Sequence, residues 1–364
     1  MTQQSVIQSG DVVHITGARP NFPKAAPVIA ALAAAGVAQK LIHTGQHYDD
    51  ALSESFFRIL DLPKPDLNLG VGSGSHATQT AAIMVGIESA IGNSKPAMIV
   101  VYGDVNSTVA AALVAAKLGI PVAHVEAGLR SFDLTMPEEI NRKLTDQLSD
   151  LLLITSPEAK DNLEREGLGD REIVFVGNSM IDTLLAHLHE FDEKKIASKL
   201  NLDGDYAVTT LHRPANVDEL ETAKDIVSAL GQVSKQTQII LPLHPRGKES
   251  LMQAGLVKFD QIKVIEPLNY IDFISLVKGA KFVITDSGGV QEETTILKVP
   301  CLTLRPNTER PITITHGTNQ LVTVADLVKR VANLSPVKDV VPPLWDGTAG
   351  ERIAAAIIKF LGRK

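Results

Sequence analysis

Ala97-Met98-Ile99-Val100-Val101-Tyr102-Gly103-Asp104 is an apolar run that ends abruptly in a glycine and a carboxylate, and Val105-Asn106 then lead into a helical pattern over Ser107–Leu118. Consecutive apolar side chains without alternation fit a strand covered on both faces. A strand of this kind, followed by a helix and then by another strand, is the repeating unit of a parallel α/β sheet.

The same unit recurs on both sides of this stretch. Val12–Thr16, Gln39–His43, Pro121–Val125, Leu151–Thr155 and Ile173–Val176 read as further strands, separated by helical patterns over Pro23–Ala35, Ala51–Leu60, His76–Ile91 and Pro137–Ser149. After Gly177 the pattern restarts. A helical Ser179–Glu190 and a charged segment, Phe191–Asp205, precede strands at Ala207–Thr210, Gln238–Leu241, Lys263–Ile265, Phe282–Thr285 and Cys301–Leu304. The expected fold is therefore α/β, with two Rossmann-like, doubly wound parallel-sheet domains facing a cleft. The domains are expected at residues 1–177 and 178–349, and the helical pattern from Gly350 onward is free to pack back on the first. A chain of 364 residues suits two domains at roughly 150 residues each.

Composition narrows the function. Apolar residues make up 44% and charged residues 21%, an ordinary globular balance, and the formal charge is −7. A net negative chain has no general excess of cations to hold a nucleic-acid backbone, so no nucleic-acid partner is expected. The polar start, Met1 to Gly10, carries no apolar signal core, and no apolar run approaches the ~18 residues of a membrane span. Cys301 is the sole cysteine, which excludes an internal disulfide framework and a cysteine-based zinc cluster. It lies in an apolar strand, where a buried thiol is expected, and a lone cysteine suits a reducing cytoplasm.

Ligands of open parallel sheets bind beyond the carboxyl ends of the strands, so the residues there carry the chemistry. Gly17-Ala18-Arg19-Pro20-Asn21-Phe22-Pro23-Lys24 places Arg19 and Lys24 beside a helix N-terminus, a setting that favours a diphosphate or a carboxylate. Asp104 follows the strand that ends at Tyr102 and also suits a helix N-cap. Glu126, in His124-Val125-Glu126-Ala127-Gly128-Leu129-Arg130, ends another, and a carboxylate at the end of a buried strand is costly unless it is paired or used. Glu138 and Arg142 lie four apart in Pro137-Glu138-Glu139-Ile140-Asn141-Arg142 and share a helix face, as in a plain helical salt bridge. Three carboxylates, Asp104, Glu126 and Glu138, at one sheet edge near cations suggest acid–base chemistry, because surroundings can drive their proton affinities apart. Neither a histidine pair nor an Asp-x-Asp-x-Asp loop accompanies them, and no metal is expected.

In the second half, Leu211-His212-Arg213-Pro214 and Leu243-His244-Pro245-Arg246 each follow a strand and suit phosphate. Thr285-Asp286-Ser287-Gly288-Gly289-Val290-Gln291-Glu292-Glu293 is the strongest local signal. A strand runs through Ser-Gly-Gly into a helix, so phosphate can approach the backbone at a helix N-terminus. It lacks the Gly-Lys-Ser/Thr of a nucleotide-triphosphate loop. Glu293 sits a turn further on, where a carboxylate can accept both hydroxyls of a ribose diol. Arg305 and Arg310 add cations after the following strand.

Taken in order, Gly17-Ala18-Arg19-Pro20, Thr44-Gly45-Gln46-His47-Tyr48, Gly103-Asp104, His124 to Arg130, Pro137 to Arg142, Leu211-His212-Arg213, Asp286 to Glu293 and Thr308-Glu309-Arg310-Pro311 resemble the non-hydrolysing UDP-N-acetylglucosamine 2-epimerases of bacteria and archaea over nearly the whole chain. The resemblance implies a GT-B fold and interconversion of UDP-N-acetylglucosamine and UDP-N-acetylmannosamine. In that reaction the C2 proton is removed with loss of UDP, a bound 2-acetamidoglucal forms, and UDP adds back. It implies no cofactor, a UDP-sugar substrate, a cytoplasmic homodimer and a supply of cell-surface polysaccharide precursors. The catalytic set it implies is Asp104, Glu126, Glu138, Arg142 and His212. UDP falls to Arg19, Lys24, His212, Ser287, Gly288, Gly289, Glu293 and Arg310, and a possible second-substrate site to Gln46, His47 and His244. Ala18, Asn21 and Ile312 stand where many members have Thr, Glu and Glu; Asp49 replaces a usual glutamine, and Ser73–His76 lacks an arginine of the second-substrate site. The alternatives are a hydrolysing epimerase that releases N-acetylmannosamine, a GT-B glycosyltransferase and a nucleotide-sugar sensor without activity.

Overall fold

The computed structural model describes residues 6–45, 57–243, 245–337 and 340–362. The chain divides into two compact units, Met1–Ala186 with Pro343–Lys364, and His187–Pro342. The strands of the first unit are β1 (Val12–Thr16), β2 (Gln39–His43), β3 (Leu67–Asn68), β4 (Met98–Tyr102), β5 (Val122–Ala127), β6 (Leu151–Ile154) and β7 (Glu172–Phe175). Among the described residues they form one parallel sheet in the order β3-β2-β1-β4-β5-β6-β7. β1 and β4 are buried along their whole length, as continuous apolar runs require. Ile83 and Ile87 of the helix His76–Ile91, with Ala111 and Val114 of the helix Asn106–Lys117, pack in one core with Val13, Ile15, Ile99 and Val101. Each fully buried aliphatic side chain of this kind contributes about 2 kcal/mol of hydrophobic stabilisation.

The second unit repeats the plan with β8 (Tyr206–Thr210), β9 (Gln238–Pro242), β10 (Ile262–Ile265), β11 (Phe282–Thr285), β12 (Cys301–Leu304) and β13 (Asn319–Val322). Their order is β10-β9-β8-β11-β12-β13, again parallel. Counted within its own unit, the second sheet reads 3-2-1-4-5-6, the doubly wound Rossmann order, and the first reads the same with a seventh strand added at its far edge. The direction of winding reverses between β1 and β4 in the first unit and between β8 and β11 in the second. These are the positions at which such sheets bind ligands.

The helices Ser179–Ala186 and Ala349–Phe360 both pack on the helix Phe22–Ala34, so the end of the chain returns to the first unit. Thr183 Oγ1 donates to the Pro23 carbonyl at 2.7 Å, and Trp345 Nε1 donates to that of Thr155 at 3.0 Å. The Gly350 N–H donates to Asp182 Oδ2 at 2.6 Å, at the first turn of the terminal helix. Burial pushes the Asp182 carboxyl up to about 6, against the pull of these backbone donors. Two edge strands, β3 and β13, were not expected from the sequence; one has two residues and the other is half polar. β5 runs two residues beyond its expected end, through a register shift between Val125 and Ala127. Cys301 is buried in β12, and its thiol is pushed up to about 11 by that burial. No helix among the described residues is long and apolar enough to cross a membrane.

Candidate active site

At the switch point of the first unit, the loop after β1 meets the end of β4. Asn21 joins them: its Oδ1 accepts from the N–H groups of Gly17 at 3.0 Å and Ala18 at 3.1 Å, and its Nδ2 donates to the Tyr102 carbonyl at 2.8 Å. Asn21 is thus the stitch across the switch point. Arg19 is half-buried in the short turn Arg19–Asn21. Lys24, in the first turn of the next helix, is buried and forms an ion pair with Glu126. Gly103 allows this. Its φ is +64°, and a Cβ there would lie 3.0 Å from Lys24 Nζ. A side chain at that position would press on the ammonium group and strain the backbone together.

Glu126 has a φ of +79° and is buried at the end of β5, where the register shifts. A non-glycine residue held in the left-handed region costs of order 1–3 kcal/mol, and such strain gathers at functional sites. On the neighbouring strand end, Asp104 keeps 22% of its side chain exposed and pairs with Arg142, and Asn141 Nδ2 donates to the Asp104 carbonyl at 2.9 Å. The spacing of Glu138 and Arg142 suggested a pair, but Arg142 grips Glu139. Its Nε and Nη2 lie 2.9 and 2.7 Å from Glu139 Oε2. Glu138 stands half-buried in the first turn of the helix Pro137–Leu148.

Glu139, missed in the sequence, is the hub of this corner. It also accepts from the Ser131 N–H at 2.9 Å, the Ser131 hydroxyl at 3.0 Å and the Phe132 N–H at 3.0 Å. Its helix is inverted: Glu139, Asn141, Arg142, Thr145 and Asp146 are buried, while Ile140 and Leu144 are 46% and 50% exposed. That reversal of the usual apolar-in pattern was the available signal.

In the second unit, Asp286 organises the ends of β8 and β11. It is fully buried and accepts from His212 Nδ1 at 2.8 Å, from the N–H groups of His212 at 3.0 Å and Arg213 at 2.9 Å, and from Asn216 Nδ2 at 3.1 Å. Burial alone would raise its proton affinity; the His212 ring and the other donors outweigh that and hold the carboxyl below the ordinary range. His212 is thereby fixed with 40% of its side chain exposed. Ser287 precedes the helix Gly288–Leu297, and its N–H is taken by Thr285 Oγ1 at 3.0 Å. The N–H groups of Gly288 and Gly289 belong to the first helical turn, which lacks intrahelical acceptors. A Cβ on Gly288 would lie 2.5 Å from Arg310 Nη1 and 2.8 Å from Glu309 Oε1, so glycine lets the guanidinium reach this terminus. Arg310 is buried between Glu309 and Glu292, with Nε 2.8 Å from Glu292 Oε1, and Arg305 Nη2 lies 2.6 Å from Glu309 Oε2.

Glu293, on the same helix, is buried, and its carboxyl is pushed up to about 8 by desolvation and by neighbouring Glu292, with the Tyr270 hydroxyl pulling the other way. Among the proposed site residues, Asp104, Arg142, Lys24 and Glu126 meet at adjoining strand ends of the first unit. His212, Ser287, Gly288, Gly289, Glu293 and Arg310 gather around the switch point of the second. Gln46, His47 and His244 lie outside the described residues. Among the described residues no group of three or more His, Cys, Asp or Glu side chains is placed to hold a metal ion.

Two Rossmann-type units in series, each with charged residues at the carboxyl ends of the strands flanking its switch point, define a chain of the GT-B class. The family model described as UDP-N-acetylglucosamine 2-epimerase matches residues 30–358, and the chain belongs to that family. It is 44% identical over 354 residues to the UDP-N-acetylglucosamine 2-epimerase of Methanocaldococcus jannaschii, a match covering 93% of this chain and 96% of that protein. It is 40% identical over 360 residues to the UDP-2,3-diacetamido-2,3-dideoxy-D-glucuronate 2-epimerase of Pseudomonas aeruginosa, covering 96% and 99%. The crystal structure of the M. jannaschii UDP-GlcNAc 2-epimerase in complex with UDP-GlcNAc and UDP superposes with a TM-score of 0.90 at 43% identity, covering 96% of this chain and 99% of that one.

Proposed function

We propose that this chain is a non-hydrolysing UDP-N-acetylglucosamine 2-epimerase that interconverts UDP-N-acetylglucosamine and UDP-N-acetylmannosamine. The observation that carries the reading is the pair of carboxylates, Asp104 and Glu126, at the ends of adjoining strands β4 and β5, each on its own cation. The C2 hydrogen is weakly acidic, and a positioned side chain must take it while another group returns one to the opposite face. Asp104, Glu126 and Glu138 form this acid–base set, with Arg142 arranging Asp104. As the C2–H bond breaks, the electron pair forms the C1–C2 double bond and the C1–O bond leaves with UDP. Re-addition of UDP at C1 and of a proton at C2 completes the inversion.

The departing diphosphate gains charge. Arg19, His212 and the first-turn N–H groups of Gly288 and Gly289 meet it, with Ser287 heading that helix and Lys24 and Arg310 lining the site as paired cations, a preorganised arrangement that stabilises developing charge. Glu293 accepts the ribose hydroxyls. The homology with the M. jannaschii enzyme supports this substrate. The P. aeruginosa relative supports a second candidate, a UDP-diacetamido uronate, and side-by-side turnover of the two UDP-sugars decides between them. The reaction is assigned to the cytoplasm and to a homodimer, without cofactor, nucleic acid or membrane. Incubation with UDP-N-acetylglucosamine alone is expected to yield intact UDP-N-acetylmannosamine. Free N-acetylmannosamine with UDP would mark a hydrolysing enzyme, and no product without an acceptor would mark a glycosyltransferase.

The Glu293 assignment has a proton signature. A carboxyl at about 8 is mostly protonated at pH 7, and ribose hydroxyls that donate to it favour the charged form. UDP binding is therefore expected to release protons below about pH 8 and to tighten as pH rises toward that value. Calorimetric titrations at pH 7 in buffers of different ionisation enthalpy should show this release in the parent and lose it in Glu293→Gln. A buffer-independent enthalpy in the parent would remove the assignment.

A further inference from the structure

The helix Pro137–Leu148 buries a second carboxylate that the proposed reaction does not use. Asp146 and His124 have no exposed surface, and Asp146 Oδ1 lies 2.6 Å from His124 Nδ1. The other ring nitrogen, Nε2, lies 2.8 Å from the carbonyl oxygen of Gly103, the residue before Asp104. One ring nitrogen faces a carboxylate oxygen and the other a main-chain carbonyl oxygen, so the imidazole bridges Asp146 to the end of β4. Asp146 Oδ2 accepts from the Gly128 N–H at 3.1 Å and from Arg130 Nη2 at 2.8 Å. One carboxylate therefore ties down residues 124, 128 and 130, on both sides of Glu126 with its φ of +79°. Arg130 is balanced separately by Glu166, with Nε to Oε1 at 2.9 Å and Nη2 to Oε2 at 2.6 Å.

We infer that Asp146 and His124 are a buried positioning pair that fixes the ends of β4 and β5, and through them the directions of Asp104 and Glu126. The inference rests on the epimerase reading above. A purely stabilising role would be served as well by apolar side chains, since replacing buried ionic sets by well-packed hydrophobic ones is often neutral or stabilising. Two of the three aliphatic residues of this helix, Ile140 and Leu144, face outward instead, and Leu148 packs against the core at its end. What an apolar pair cannot do is aim the Gly103 carbonyl and hold a left-handed turn between fixed hydrogen bonds. Neither residue is placed on the substrate; both act through the strand ends.

The test compares the parent with Asp146→Asn, His124→Gln and His124→Ala, measuring kcat and KM for UDP-N-acetylglucosamine, UDP affinity and the thermal midpoint. A displacement of about 1 Å in a reacting group can cost about 100-fold in rate. Asp146→Asn is expected to lower kcat by about that factor, with KM and UDP affinity within about threefold of the parent. His124→Gln, whose amide can still donate toward the Gly103 carbonyl, should retain about tenfold more activity than His124→Ala. If Asp146→Asn does not fold, the His124 pair decides. A kcat within threefold of the parent in Asp146→Asn, equal activities of the two His124 variants, or losses that track the thermal midpoint overturn the positioning role. A parent without turnover overturns the epimerase reading and this inference together. An active parent with undiminished variants overturns only the inference.

Discussion

Asp104→Asn is expected to lower turnover of UDP-N-acetylglucosamine by about a thousandfold, within the range of loss of a positioned acid or base, while leaving UDP affinity within about threefold. The amide has nearly the same shape as the carboxylate and can accept a hydrogen bond from Arg142, so the strand end keeps its form. It cannot accept a proton from carbon. UDP should be unaffected because its proposed contacts, apart from Arg19 and Lys24, lie in the second unit around Asp286. Steady-state kinetics with calorimetric UDP titration measures both quantities. Turnover within tenfold of the parent would remove Asp104 from the acid–base set. A parallel loss of UDP affinity would instead make it a binding residue.

Asp286→Ala is expected to have the largest effect on the second unit. Two backbone N–H groups, the Asn216 amide and the His212 ring all donate to this one buried carboxylate. Each buried donor left without a partner costs about 1–3 kcal/mol, and partial rewetting of the site limits the sum to about 3–5 kcal/mol. UDP affinity should fall at least tenfold at temperatures where the variant remains folded, because His212 loses its fixed orientation; each 1.4 kcal/mol of lost binding is about tenfold. The parent carries a matching pH dependence. The folded carboxyl lies below its ordinary value, so its stabilisation is present in full above about pH 4 and is lost as pH falls through the depressed folded value. Denaturant unfolding from pH 7 down to pH 3 should show this loss in the parent and a shallower one in the variant. Unchanged stability at pH 7 would contradict the anchoring role.

Much of this architecture is legible in the residues because the physics is local. Met98–Tyr102 is apolar throughout and is buried throughout. Gly103, Gly288 and Gly289 stand where strands end, and the motifs beside them fall at the two switch points. The edge strands were less legible: β3 has two residues and β13 is half polar, so apolar content gives them little signal. The inverted helix Pro137–Leu148 was hidden for the opposite reason. Helical spacing pointed to Glu138 as the partner of Arg142, whereas burial selects Glu139, and Asp146 one face-repeat further on follows the same logic. The left-handed Glu126 was invisible too, because nothing in Val125-Glu126-Ala127 announces a positive φ; it is imposed by the contacts of its neighbours. Lys24 pointed to a phosphate from its place at a helix start, and only the three-dimensional meeting of that helix with β5 places it on Glu126.

The claim beneath all of this is that the first unit's carboxylates exchange a carbon-bound hydrogen at C2 while the UDP group leaves and returns. Proton NMR of UDP-N-acetylglucosamine incubated with the protein in deuterated water tests it most directly. Two intact UDP-sugar epimers are expected, with deuterium accumulating at C2 of both. Epimers that keep protium at C2, or a free sugar as the sole product, would contradict it.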